Sequence, residues 1–289
     1  EPEPVVSPTL DRTVCSDIAT TLTLNTNGTS VPASNYNITA RTISAGLVAA
    51  GANAVVPATG VAANYLASDV FTNTGTVPLT VTYTVMGISA AGCEGDTRVI
   101  TVTINPEPVV STLLNATVCS DNVIALTLNT NGTSVAASNY NITARSVSAG
   151  LTSAGTNVAV PATGVAANYL AGDRFGNTGA TPLTVTYTVV PVSAAGCLGN
   201  PQVITITIDP EPVVSASLNL AQCSDVVTGL VLNTNGTSVA AANYNITAIS
   251  ISGGLTAAGV NAVVPAVGVG VNYLANDRFT NTGPLPLTV

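Results

Sequence analysis

Hydrophobic and polar residues alternate along the best-defined segments of the chain. In Leu79-Thr-Val-Thr-Tyr-Thr-Val85, the residues Leu79, Val81, Tyr83 and Val85 fall on one side and Thr80, Thr82 and Thr84 on the other. A period of two marks a half-buried strand. Ile100-Thr-Val-Thr-Ile104 repeats the pattern, and branching at Cβ suits Thr and Val to the pleated surface. The helical spacing is absent. Asn27-Gly28 is a strong hairpin-turn dipeptide, and Asn73-Thr-Gly75 and Ala91-Gly92-Cys93 mark two more turns. The pattern predicts about seven strands, near residues 4–8, 18–25, 35–44, 53–58, 66–72, 78–88 and 97–104. Seven short strands in ~100 residues predict an all-β, two-sheet, Ig-like sandwich. The most apolar stretch, Leu47 to Ala63, is interrupted by Gly51, Asn53, Pro57, Thr59 and Gly60. A membrane span needs about 20 apolar residues, so none is expected.

The strand pattern recurs. Pro-Glu-Pro-Val-Val begins at Pro2, Pro106 and Pro210, and Asn-Tyr-Asn-Ile-Thr-Ala begins at Asn35, Asn139 and Asn243, so the period is 104 residues. No insertion breaks the register. Length alone suggests about two domains, whereas the period predicts three tandem units: 1–105, 106–209 and 210–289. The third stops at Val289, the counterpart of Val185 inside a repeated strand, and is expected to be incomplete. The chain thus reads as a window on a longer array. The repeat phase already runs at Pro2, so no signal peptide is expected.

The period also sorts the five cysteines. Cys15, Cys119 and Cys223 share one phase; Cys93 and Cys197 share another. One-to-one pairing within each copy predicts the disulfides Cys15–Cys93 and Cys119–Cys197, with the partner of Cys223 outside the chain. Each would close a 78-residue loop, for roughly 4 kcal/mol by chain entropy. Buried free thiols are the alternative. Two half-cystines per unit suggest an oxidising, extracellular compartment.

Composition narrows the function. Charged residues make up 7% of the chain, the net charge is −8, and there is no His, Lys or Trp. That leaves no Ser–His or Cys–His nucleophile pair, no His metal ligand and no Schiff-base lysine. Six scattered arginines form no footprint for nucleic acid. The chain is expected not to be an enzyme and to need no cofactor.

Three carboxylate positions recur: Asp17, Asp121 and Asp225 after the first cysteine, Asp69, Asp173 and Asp277 before the fifth strand's Phe, and Glu3, Glu107 and Glu211 in the linkers. They suggest either Ca²⁺ at domain junctions or side chains that cap turns; no Asp-x-Asp-x-Asp run favours calcium. The sequons at Asn27, Asn37, Asn115, Asn131, Asn141, Asn235 and Asn245 read as chance matches multiplied by the repeat, with Asn27, Asn131 and Asn235 of the Asn-Gly pairs read first as turn residues and N-glycosylation as the alternative. Arg41, Arg98 and Arg145 read as surface residues. The threonine-rich outer faces read as solvated sheet, with glycan or ice as the ligand class of a binding alternative. Pro106 and Pro108, and again Pro210 and Pro212, fix φ at each junction, predicting short, semi-rigid linkers.

The layout Cys-Ser-Asp, Asn-Thr-Gly…Pro-Leu-Thr-Val-Thr-Tyr-Thr-Val, Ala-Gly-Cys, Val-Ile-Thr-Val-Thr-Ile-Asn-Pro-Glu-Pro resembles the PKD-like (Ig-like) tandem repeats of large secreted surface proteins of Bacteroidota. The likeness covers the whole chain, most specifically Asn73 to Val85 and Cys93 to Pro106. The Trp-Asp-Phe-Gly-Asp-Gly motif of the original PKD domain is absent. The resemblance implies β-sandwich stalk modules of an adhesin or extracellular filament on the bacterial cell surface, often exported by the type IX pathway. Expected partners are neighbouring repeats of the same chain and identical chains packed in a filament. The alternatives are a glycan- or surface-binding array, or a passive spacer attached to a secreted enzyme.

Overall fold

The computed structural model describes all residues from Glu1 to Val289 and contains strands and turns but no helix. In the first copy the strands are β1 (Arg12–Cys15), β2 (Asn35–Ile43), β3 (Val48–Ala50), β4 (Ala58–Val61), β5 (Val70–Thr72), β6 (Leu79–Ile88) and β7 (Arg98–Asn105). The alternating segments become the centre of the main sheet, whose order is β1-β7-β6-β2-β4. β6 and β7 form an antiparallel hairpin, with Val81 opposite Val102 and Tyr83 opposite Ile100. β1 joins the far edge of β7 in parallel, and Cys15 lies beside Asn105.

Val81, Tyr83, Val85, Ile100, Val102 and Ile104 point inward from this sheet and are fully buried. Facing them are Leu22, Leu24, Leu66 and Phe71, carried by an extended segment, a turn and the small β3–β5 ladder. On the outer face the threonines align across strands, with Thr80 opposite Thr103 and Thr82 opposite Thr101. They are half-buried rather than fully solvated.

Three expected strands are placed differently. Residues 4–8 contribute only the isolated bridge Val6–Thr26. Residues 18–25 form no ladder, because the Thr20 and Thr21 N–H groups donate to the Asp69 and Ala67 carbonyls of a neighbouring turn. Thr21 also takes a positive φ of 49°, which no regular strand accommodates. Leu22 and Leu24 nevertheless bury as a strand face would. Residues 53–58 are replaced by β3 and β4 on either side. The Asn53 side chain bonds the Val70 backbone at both N–H and C=O, at 2.7 and 2.9 Å, standing in for a strand partner. The edge strand β1, four residues long and paired on one side only, lies outside the predicted strands.

The second copy repeats the first: β8 (Ala116–Cys119), β9 (Ala137–Val147), β10 (Thr152–Ser153), β11 (Ala162–Val165), β12 (Phe175–Gly176), β13 (Leu183–Ser193) and β14 (Gln202–Asp209). Its main sheet runs β11-β9-β13-β14-β8, over a separate core that extends from Val110 to Ile208. The third copy has β15 (Tyr244–Ile246), β16 (Leu255–Ala257), β17 (Ala266–Val269) and β18 (Phe279–Asn281), paired as two small ladders. Without counterparts of β13 and β14 its apolar interior stands open as a cleft of about 830 Å³ lined by Leu230, Leu274 and Phe279. These are tandem, all-β, Ig-like sandwich units.

Candidate functional site at the repeat junction

Two local turns carry the chemistry. The first follows β1. Asp17 adopts φ 60°, a left-handed conformation that Asp tolerates better than most residues. Its N–H donates to the Phe71 carbonyl, and its carboxylate accepts the Thr72 hydroxyl. Buried Ser16 accepts the Asn73 N–H at 2.9 Å. Cys15 is thereby fixed at the C-terminal end of β1, level with the end of β7.

The second turn closes the β13–β14 hairpin. The Ser193 hydroxyl accepts the Cys197 N–H at 3.1 Å, the Ser193 N–H donates to the Cys197 carbonyl at 2.9 Å, and Gly196 takes φ 79°. The turn projects Cys197 from the opposite end of its own sheet, back toward the first copy. There it forms a disulfide with Cys15, with a Cα–Cα distance of 5.3 Å across 182 residues of sequence.

This pairing replaces both expected bonds. Cys93, Cys119 and Cys223 carry free thiols. The reason is the direction of β7. Cys15 lies beside Asn105 at one end of that strand, whereas Cys93 precedes Arg98 at the other. Seven strand residues at ~3.3 Å each put them more than ~20 Å apart, and a disulfide needs Cα atoms within ~7 Å. Cys119 and Cys197 are separated likewise along β14. Each copy thus presents its two cysteines at opposite ends.

Around the disulfide the copies also share hydrogen bonds. Asn73, fully buried, donates from Nδ2 to the Val77 and Ile104 carbonyls at 3.0 and 2.9 Å, and its Oδ1 accepts the Gly75 N–H. The turn so held offers two carbonyls to the next copy: Asn73 O accepts the Glu107 N–H and Gly75 O the Val135 N–H, each at 2.9 Å. The linker is not a free spacer, since Pro106, Glu107 and Pro108 are all buried. A Cβ built on Gly199 would lie 1.8 Å from the Pro108 carbonyl oxygen, so the cysteine turn and the linker meet only because residue 199 lacks a side chain.

Glu107 is the unusual acid of this site. Burial, reinforced by the nearby Asp17 carboxylate, raises its carboxyl from the ordinary 4.5 to about 7. Asn200 Nδ2 approaches its Oε1 at 3.5 Å. Burial and a like charge both disfavour the carboxylate form. Of the three recurrent carboxylates, the junction brings together only Asp17 and Glu107. No group of three or more Cys, Asp or Glu side chains with metal-binding spacing forms anywhere.

The second junction keeps the backbone bonds, Glu211 N–H to Asn177 O at 2.9 Å and Val239 N–H to Gly179 O at 3.0 Å. Its linker is more open, with Pro210 half-buried and Pro212 exposed.

The Asp69 position is structural and lies inside its own core. Asp69 accepts the Tyr83 hydroxyl at 2.6 Å and the Ala54 N–H at 2.6 Å. Arg41 Nη1 lies 3.5 Å away, and Asp69 is fully buried. Burial and then the Asp69 hydrogen bond push the Tyr83 hydroxyl far up. Asp173, Tyr187 and Arg145 repeat the group. Arg41 and Arg145 are therefore half-buried partners of buried carboxylates rather than plain surface residues. Of the sequon asparagines, Asn27 holds its turn, its Oδ1 accepting the Thr29 and Ser30 N–H groups, whereas Asn37 lies within β2 and its Oδ1 accepts the Gly60 N–H of the adjacent β4.

Among known proteins, no curated sequence matches. Similar solved structures include the human CDH23 EC21-23 fragment, 11% identical, covering 86% of this chain and 88% of that one at a TM-score of 0.26. The protocadherin gammaB7 EC3-6 cis-dimer structure is 10% identical, with coverage of 97% and 68% and a TM-score of 0.29. The Bacteroides ovatus mixed-linkage glucan utilization locus SGBP-B, solved with a mixed-linkage heptasaccharide, is 14% identical, with coverage of 98% and 62% and a TM-score of 0.20. The assignment rests instead on the sequence pattern of the PKD-like domain, which matches residues 12–108 and 116–212. With two matched copies spanning most of its length, the chain belongs to the PKD-like domain family.

Proposed function

We propose that this chain is a load-bearing stretch of an extracellular stalk, part of an adhesin or surface filament of a Bacteroidota-type cell, with no catalytic role of its own. The observation that carries the reading is the disulfide between successive copies, Cys15–Cys197. A covalent tie between neighbours fixes how one repeat sits on the next, which a passive string of domains does not require. The buried linker and the shared Asn73 and Gly75 carbonyls act in the same sense. The cystine supports an oxidising compartment, and no helix is long and apolar enough to cross a membrane.

Small-angle X-ray scattering tests the stalk. At ~3.3 Å per strand residue each repeat is roughly 30–40 Å long, so the oxidised chain is expected to scatter as an elongated particle of about 100 Å. Its profile should be unchanged by dilution. Scattering typical of freely hinged domains in the oxidised chain would contradict the reading.

A further inference from the structure

We infer that the observed disulfide is one instance of a bonding rule: the first cysteine of each repeat is the partner of the second cysteine of the repeat that follows it. Cys119 is then the waiting half of another inter-repeat bond, and Cys93 the half that belongs with a repeat on its N-terminal side. The inference concerns covalent connectivity and holds whether or not the array is a stalk.

Three observations carry it. Cys119 occupies the place of Cys15: it ends β8 in the same parallel register, beside Asp209, as Cys15 ends β1 beside Asn105. The second junction repeats the backbone bonds of the first, so the third copy approaches Cys119 as the second approaches Cys15. Cys93 sits in the same turn as Cys197, its N–H donating to Ser89 Oγ at 3.0 Å. Its Sγ lies 3.6 Å from Oε2 of Glu1, the counterpart of the Asn105 that flanks Cys15. Both thiols stand in preformed half-sites whose other halves belong to adjacent repeats. The two phases alone do not distinguish bonding within a copy from bonding between copies; the strand directions do.

The rule has a mechanical consequence. In a longer array the bonded loops overlap, so each covalent route contains only the 26-residue step from Cys197 to Cys223, or its equivalent, per 208 residues of chain. At ~3.4 Å per residue that step spans about 90 Å, close to the ~60–80 Å estimated for two folded repeats. Such an array could lose its fold and gain little length.

The test completes the third repeat. The sequence Thr186–Asp209 is appended to Val289 of the full chain, which supplies the missing strands and a copy of Cys197. The protein is refolded with reduced and oxidised glutathione. Each bond forms as two thiols lose two protons and two electrons, while one glutathione disulfide becomes two glutathione thiols. The rule predicts that Cys119 pairs with the appended cysteine, that Cys15–Cys197 persists, and that Cys93 and Cys223 remain open to alkylation. A bond between Cys223 and the appended cysteine would overturn it, as would an alkylatable Cys119 in a folded extension. A second variant needs no extension: in Cys15→Ser, Cys197 should stay alkylatable, because Cys119 lies at the far end of β14. Formation of Cys119–Cys197 there would also overturn the rule.

Discussion

Single side chains hold each unit and its junction by satisfying buried polar groups. Asp69 is fully buried and serves Tyr83, Ala54 and Arg41 together. Asp69→Ala strands a buried hydroxyl, a backbone N–H and a half-buried cation, and is expected to cost the first repeat about 3–5 kcal/mol. Tyr83→Phe removes one bond and should cost about 1–3 kcal/mol. Urea titrations of the two variants check both the values and their order. Glu107 gives a pH dependence. Its native carboxyl titrates near 7 and its unfolded one near 4.5. Between those values the folded junction holds a proton that the unfolded chain has lost, so stability falls as pH rises through this window. Thermal melts should show a less stable junction at pH 8 than at pH 5.5, and Glu107→Gln should flatten that difference. The sequence displayed these carboxylates as recurrent but not their roles. Asp69 is buried because Tyr83 and Arg41 reach it from other strands, and those partners are far apart in sequence.

At the scale of elements, the alternating segments were legible because their pattern and their burial have one cause: a sheet with one face on the core. β6 and β7 lie within a residue or so of their expected limits, and Val81, Tyr83 and Val85 face inward as the alternation requires. The second layer was less legible. Its backbone bonds go to turn carbonyls and to side chains such as Asn53 rather than to a ladder, so burial there does not imply strand geometry. The hairpin turn that carries Cys197 depends on close backbone approach. Gly199→Ala places a methyl group against the Pro108 carbonyl and should force the linker away from the turn. Under mild conditions this variant is expected to form the Cys15–Cys197 bond several-fold more slowly than the parent, measured by quenched alkylation during refolding.

For the whole molecule, the 104-residue period revealed the units but could not reveal their connection. Pairing Cys15 with Cys93 or with Cys197 satisfies the same periodicity, since those two cysteines differ by one period. The choice is made in three dimensions by the direction of β7, which sends one cysteine to each end of a repeat. Closing a 182-residue loop stabilises the folded pair of repeats by about 5 kcal/mol in the chain-entropy picture. Reduction should therefore lower the melting temperature of the first two repeats together. Six arginines allow the connection itself to be read directly. Cleavage after Arg12, Arg41, Arg98, Arg145, Arg174 and Arg278 isolates Cys15 on residues 13–41, Cys93 on 42–98 and Cys119 on 99–145, and leaves Cys197 with Cys223 on 175–278. Non-reducing mass spectrometry of an oxidised Cys223→Ser chain after this digest is the most direct test. The account predicts that 13–41 is linked to 175–278 and that 42–98 and 99–145 run free; a link between 13–41 and 42–98, or between 99–145 and 175–278, would contradict it.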